Sequence, residues 1–151
     1  MIIISHRGNI CGSVPEKENR PSYIDVAIQM GYEVEVDIRY INNEFWLGHD
    51  EPQYKIELSW MKLRKDKIWF HCKDQNSSIK FLELNDNFKY FCHKNDDYVL
   101  TSTGNIWVHD LNSYITEKCI IPLLGLSDIK NYKNSTPGFV CTDFVKQIIF
   151  T

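Results

Sequence analysis

Apolar and polar positions alternate along this chain in short bursts, and only a few stretches keep one period long enough to name an element. Apolar, β-branched and aromatic residues cluster at 1–5, 33–38, 67–71, 88–92, 97–101, 105–109, 119–124 and 138–142, which predicts a strand at each. Between the first two, Ile24, Ala27 and Ile28 recur on one helical face. Asn19 stands where an N-cap belongs, Pro21 in the first turn and Gly31 just past the end, so the pattern predicts a helix over 20–30. Further helices are expected over 56–65 and 76–84.

Strand, helix and strand in turn predict a parallel sheet with crossovers, and the number of strand candidates extends this to an α/β fold of TIM type. A full (β/α) barrel takes ~250 residues. With 151 residues available, the expectation is a compact, reduced barrel with several helices trimmed to loops. Residues 94–109 leave no room for a helix between two β-like runs, so a hairpin or a bare loop crossover is expected there. No internal repeat, low-complexity tract or Gly/Ser linker divides the chain, which reads as a single domain over 1–151.

Composition narrows the function classes. With 43% hydrophobic residues the chain can bury a core without staples, while a net charge of −3 and no dense Lys/Arg block remove the electrostatic footprint of a nucleic-acid binder. Single basic residues remain free to serve one phosphate. The five cysteines are scattered, odd in number and without a Cys-x-x-Cys pair, arguing for reduced thiols over disulfides or a zinc ribbon. The apolar run at 1–4 is too short for a signal peptide or a membrane span, so a soluble cytoplasmic protein is expected.

All five histidines, His6, His49, His71, His93 and His109, stand at or just past the end of a short apolar run. Strand ends of a parallel barrel converge on one rim, where sites of that architecture are built, so this placement points to a site. Nothing in the spacing of His93 and His109 demands that they join it. Glu35 and Asp37, two apart on a strand, share one face while Val34, Val36 and Ile38 take the other. That alternation fits either a solvent-facing acidic stripe or a pair of carboxylates around a hard divalent cation. His6 and His49 can move protons, and the planar donors of Arg7 match phosphate oxygens in pairs.

In order, His6-Arg7-Gly8, Glu18-Asn19, Glu35-x-Asp37 and His49-Asp50 resemble the glycerophosphodiester phosphodiesterase family of the PLC-like phosphodiesterase superfamily, with this chain as an unusually short member. The resemblance is firm over 1–50, fair at 67–73 and 137–144, and absent between. It implies a metal-dependent phosphoric diester hydrolase that cleaves a small glycerophosphodiester to glycerol phosphate and an alcohol, a reaction of lipid metabolism. It further implies His6 and His49 as acid and base, Asp50 as an orienter, Arg7 and Lys73 on the phosphate, and one divalent cation, Mg²⁺, Ca²⁺ or Mn²⁺, on Glu35, Asp37 and Glu18. Asn19 is left as a helix cap. The family's Glu-x-Lys is here His71-x-Lys73. His71 either ligates the cation, softening the site, or hydrogen-bonds a water on it. Residues 137–144, running into Thr142 and Asp143, resemble the family's closing strand. Two other readings stay open. One is a phospholipase-like lyase that stops at a cyclic phosphate and needs an apolar lip from Tyr54, Trp60 or Tyr98. The other is a catalytically silent module that binds a phosphorylated ligand. The sequence names no protein partner, and oligomeric state is not read from it.

Overall fold

In the computed structural model, which describes residues 1–148, the chain runs β1 (Ile2–His6), α1 (Pro21–Gln29), β2 (Glu33–Ile41), β3 (Glu44–Leu47), β4 (Tyr54–Ile56), α2 (Leu58–Arg64), β5 (Ile68–Cys72) and α3 (Gln75–Leu84). It continues through β6 (Lys89–Phe91), β7 (Tyr98–Leu100), β8 (Ile106–Val108), β9 (Cys119–Pro122), α4 (Leu126–Asn131) and β10 (Phe139–Thr142) to a 3₁₀ turn, Val145–Gln147. Each strand candidate of the sequence is found, and 94–109 forms the antiparallel β7–β8 hairpin. The β3–β4 hairpin and α4 lie where no element was expected.

The closed, reduced (β/α) barrel is not what forms. The described strands make one curled, mixed sheet, a half-barrel, in which β6, β5, β2, β1, β10, β9 and β8 run parallel while β3, β4 and β7 are antiparallel. The physical reason lies in the connections. A TIM barrel needs a helix after every strand to cover its outer face, and among the described residues there are only four short helices. None lies between β6 and β8 or between β8 and β9. Uncovered, the curl stays open: among the described residues β6 shares no strand ladder with β7 or β8, and β4 is a further edge.

One turn bridges that seam. Ser102 donates its backbone N–H to the Tyr90 carbonyl and its hydroxyl to the Phe88 carbonyl, while its Oγ accepts from the Tyr90 N–H. Ring pairs on the concave face do the rest. Phe91 stacks on Trp107 with centroids 4.2 Å apart, and His93 stacks on His109 at 3.5 Å, each pair joining the end of β6 to the end of β8. Aromatic pairs of this kind contribute ~1 kcal/mol each beyond their buried area.

Period-two alternation sorts the core into faces. Val34, Val36 and Ile38 of β2 face outward with Ile68 and Phe70 of β5, packing against Ile24 and Ala27 of α1 and Phe81 of α3. A second outer cluster joins Val140 of β10 and Ile121 of β9 to Ile129 of α4. Ile4, Trp69, Phe91, Trp107, Ile120 and Cys141 fill the hollow of the curl and form the floor on which the site rests. Among the described residues no helix is long and apolar enough to cross a membrane.

Candidate active site

Strand register brings the candidate residues together. Because β2 lies between β1 and β5, His6 pairs with Glu35 and Asp37 pairs with His71 across the sheet. Both carboxylates are buried, Glu35 at 2% exposure and Asp37 at 0%, which removes the solvent-facing stripe. Their ligand atoms and that of His71 lie within 4.8 Å of one another. His71 Nδ1 stands 3.5 Å from Glu35 Oε1 and 3.3 Å from Asp37 Oδ1.

The cluster is strongly polarised. Burial works against charge on Asp37, yet the neighbouring His71 and the Arg7 guanidinium hold its carboxyl well below the usual range. Burial likewise opposes the imidazolium of His71, but the two carboxylates outweigh it and lift its pKa to about 9. His6, also opposed by burial, is raised by its hydrogen bond to Asp143 and by the charge of Glu35. Glu35 Oε2 and Asp37 Oδ1 are buried and accept no well-formed hydrogen bond. Two buried, incompletely satisfied carboxylate oxygens beside an imidazole are a donor set that fits a divalent cation.

The remaining expected residues divide. Arg7 Nε stands 2.9 Å from Asp37 Oδ2 in an ion pair without an aligned hydrogen bond, and Nη1 donates to Glu18 Oε2 at 3.0 Å. Lys73 Nζ lies 3.7 Å from Asp37 Oδ1. Glu18 is not brought into the carboxylate–imidazole cluster. Its oxygens accept from Arg7, Asn9 and Ser13, so it holds Arg7 in place, and these bonds keep it ionised against the cost of burial. His49, on the loop after β3, hydrogen-bonds Asp50 through Nδ1 at 2.7 Å, the orienting contact expected of that pair.

Asn19 is no helix cap. The N-cap position of α1 is Arg20, and Asn19, with φ of 61° and 1% exposure, turns its amide onto Asp37. Other contributors were not singled out from the sequence. Asp143 holds His6 Nδ1 at 2.8 Å and also accepts from Asn9. Arg39 donates to the carbonyls of Gly48, His49 and Asp50, fixing the loop that carries His49. Gly48 is required in that loop, since a Cβ there would collide with the Glu51 carbonyl. The available signals were Asp143 at a strand end and an Asn at the loop–helix junction, a residue type that tolerates positive φ.

All five histidines line one cavity of about 910 Å³, together with Arg7, Lys73 and Glu35. Tyr54, Trp60 and Tyr98 do not line it. Tyr54 and Trp60 pack against the outer core, and Tyr98 is exposed on the edge strand, so these three do not supply the apolar lip expected of them. Compared with protein-family models, curated proteins and solved structures, the chain matches none.

Proposed function

We propose that this chain is a divalent-metal-dependent phosphodiester hydrolase, acting on a glycerophosphodiester as its motif resemblance implies. One observation carries the reading: a buried Glu35–Asp37–His71 cluster is flanked on the same cavity by two cations, Arg7 and Lys73, and by two further imidazoles, His6 and His49. Glu35, Asp37 and His71 would hold the cation. When bound, it would supply charge stabilisation to a phosphate oxygen and lower the pKa of an attacking hydroxyl.

The chain's own residues do the rest. Arg7, anchored by Glu18 and Asp37, presents its planar donors to the phosphate, and Lys73 adds a point charge on the other side of Asp37. Asp143 fixes His6 through Nδ1, leaving Nε2 as the nitrogen that exchanges a proton with a reacting oxygen. Asp50 does the same for His49. Two oriented imidazoles allow one to take a proton from the attacking group while the other gives one to the leaving alcohol.

The test is hydrolysis of bis(p-nitrophenyl) phosphate and glycerophosphocholine by the purified chain, before and after EDTA, with Mg²⁺, Ca²⁺ and Mn²⁺ restored singly. Activity lost to chelation and regained with one ion supports the reading. A folded protein that turns over neither substrate with any ion favours a silent phosphate-binding module or a diester of another alcohol.

A further inference from the structure

Beyond His71 the cavity has a second wall that phosphate chemistry does not use. It is a ladder of flat rings: His71 stacks on Phe91 at 4.8 Å, Phe91 on Trp107 at 4.2 Å, and His93 on His109 at 3.5 Å, with interplanar angles of 10°, 16° and 13°. The His93 ring lies 6.2 Å from that of His71, so the ladder starts beside the carboxylate cluster and runs away from it. In both His93 and His109 the Nδ1 atom is buried and unpartnered, which leaves Nε2 as the nitrogen each can offer to the cavity.

The chemistry of the wall selects among alcohols. A wall of stacked flat rings suits another planar ring better than a compact ion. Lys73 and Lys94 line the same cavity together with Asp74 and Asp96, so charge alone does not draw a quaternary ammonium to this wall. A volume of about 910 Å³ is far more than a glycerol-sized alcohol fills. Resting on the hydrolase reading above, we propose that the leaving alcohol of the substrate carries a heteroaromatic ring, of nucleobase type, which lies against the Phe91–Trp107 and His93–His109 rings and hydrogen-bonds their free imidazole nitrogens.

Fragments of such a substrate that keep the phosphate joined to the leaving group test this without turnover. Calorimetric titration of the wild-type chain, with each of Mg²⁺, Ca²⁺ and Mn²⁺ present, compares AMP, ribose 5-phosphate and phosphocholine. AMP is expected to bind about tenfold or more tighter than ribose 5-phosphate, the scale of one base–aromatic stack. His109→Ala and His93→Ala should erase that advantage while leaving ribose 5-phosphate affinity unchanged. Because the His pair also helps to close the sheet, imidazole ¹H–¹⁵N spectra of the wild type give a readout free of folding defects: AMP should shift His93 and His109, and ribose 5-phosphate should not. Equal affinity for AMP and ribose 5-phosphate, or a preference for phosphocholine, overturns the proposal and leaves the hydrolase reading standing. Binding of none of the three overturns it too, and the hydrolase reading falls with it only if the metal-restoration assay is also silent.

Discussion

Asn19 grips Asp37 twice: its Oδ1 accepts from the Asp37 backbone N–H at 2.9 Å, and its Nδ2 donates to Asp37 Oδ2 at 2.9 Å. One amide thus fixes both the strand position and the carboxylate rotamer of a residue with no exposure. Asn19→Gly keeps the left-handed backbone (φ of 61°) and removes only the grip. Its expected cost is about 1–3 kcal/mol of stability by urea unfolding, the penalty for unpairing buried polar groups, with weaker cation binding by calorimetry. Asn19→Ala should lose a further ~1 kcal/mol to backbone strain. Equal stability of the Gly variant and wild type would refute the grip.

Arg39 acts on the site through backbone. Its guanidinium donates to three successive carbonyls, Gly48, His49 and Asp50. Arg39→Ala frees the loop that positions His49, and the expected result is a fall in kcat of up to ~10²-fold with KM little changed, since misplacement by an ångström costs about that much. Arg39→Lys, a single point charge, should recover only part. Steady-state kinetics of both variants decide; a change confined to KM would assign Arg39 to substrate binding.

His71 decides which ion the cluster prefers. Replacing it with the acid found at the matching position of the resembled family, His71→Glu, puts a third carboxylate beside Glu35 and Asp37 and removes the imidazolium that now balances them. In EDTA the variant should melt below the wild type, and Ca²⁺ or Mg²⁺ should raise its Tm by more than it raises that of the wild type, because hard cations favour oxygen ligands. No differential response to the ions would show that His71 does not touch the cation.

Stability should peak near pH 6.5 in metal-free buffer. His93 and His109 have folded pKa values below the ordinary 6.5, so on acidification the unfolded chain takes up protons first, and their contribution, complete above pH 6.5, is lost as pH falls toward 4. His6 and His71 are shifted the other way. Their contribution is complete below pH 6.5 and is lost as pH rises toward about 9. Calorimetric Tm measured from pH 4.5 to 9 checks the peak, and His109→Phe, which keeps a flat ring without a titrating nitrogen, should flatten the acidic limb. A Tm that is flat across the range would contradict both assignments.

The sequence was legible where a local rule is strict. Alternation gave β2 its two faces, so Glu35 and Asp37 read as neighbours, and the His-after-strand pattern pointed to His6, His49 and His71, while His93 and His109, which line the same cavity, read as bystanders. It was not legible where closure depends on surface cover. Eight strand signals are compatible with a closed barrel or a curled open sheet, and only the helices on the outside decide. Nor could spacing show what Glu18 faces. Its proximity to a helix start says nothing about Ser13 and Asn9, which reach it from a loop. The wall of rings was hidden for the same reason, because His93 and His109 meet across a seam that no hydrogen-bond ladder announces.

That seam divides the molecule into parts of unequal permanence. The carboxylate cluster stands on β2 and β5, knitted to their neighbours by continuous backbone ladders. The ring wall hangs on a joint tied by Ser102 and face-to-face stacking. Amides of β6 and of the β7–β8 hairpin should therefore exchange with deuterium through a partial opening, well before those of β1, β2 and β10. Each such opening takes the wall apart while the cluster stays whole, and a ligand long enough to touch both would fasten the joint.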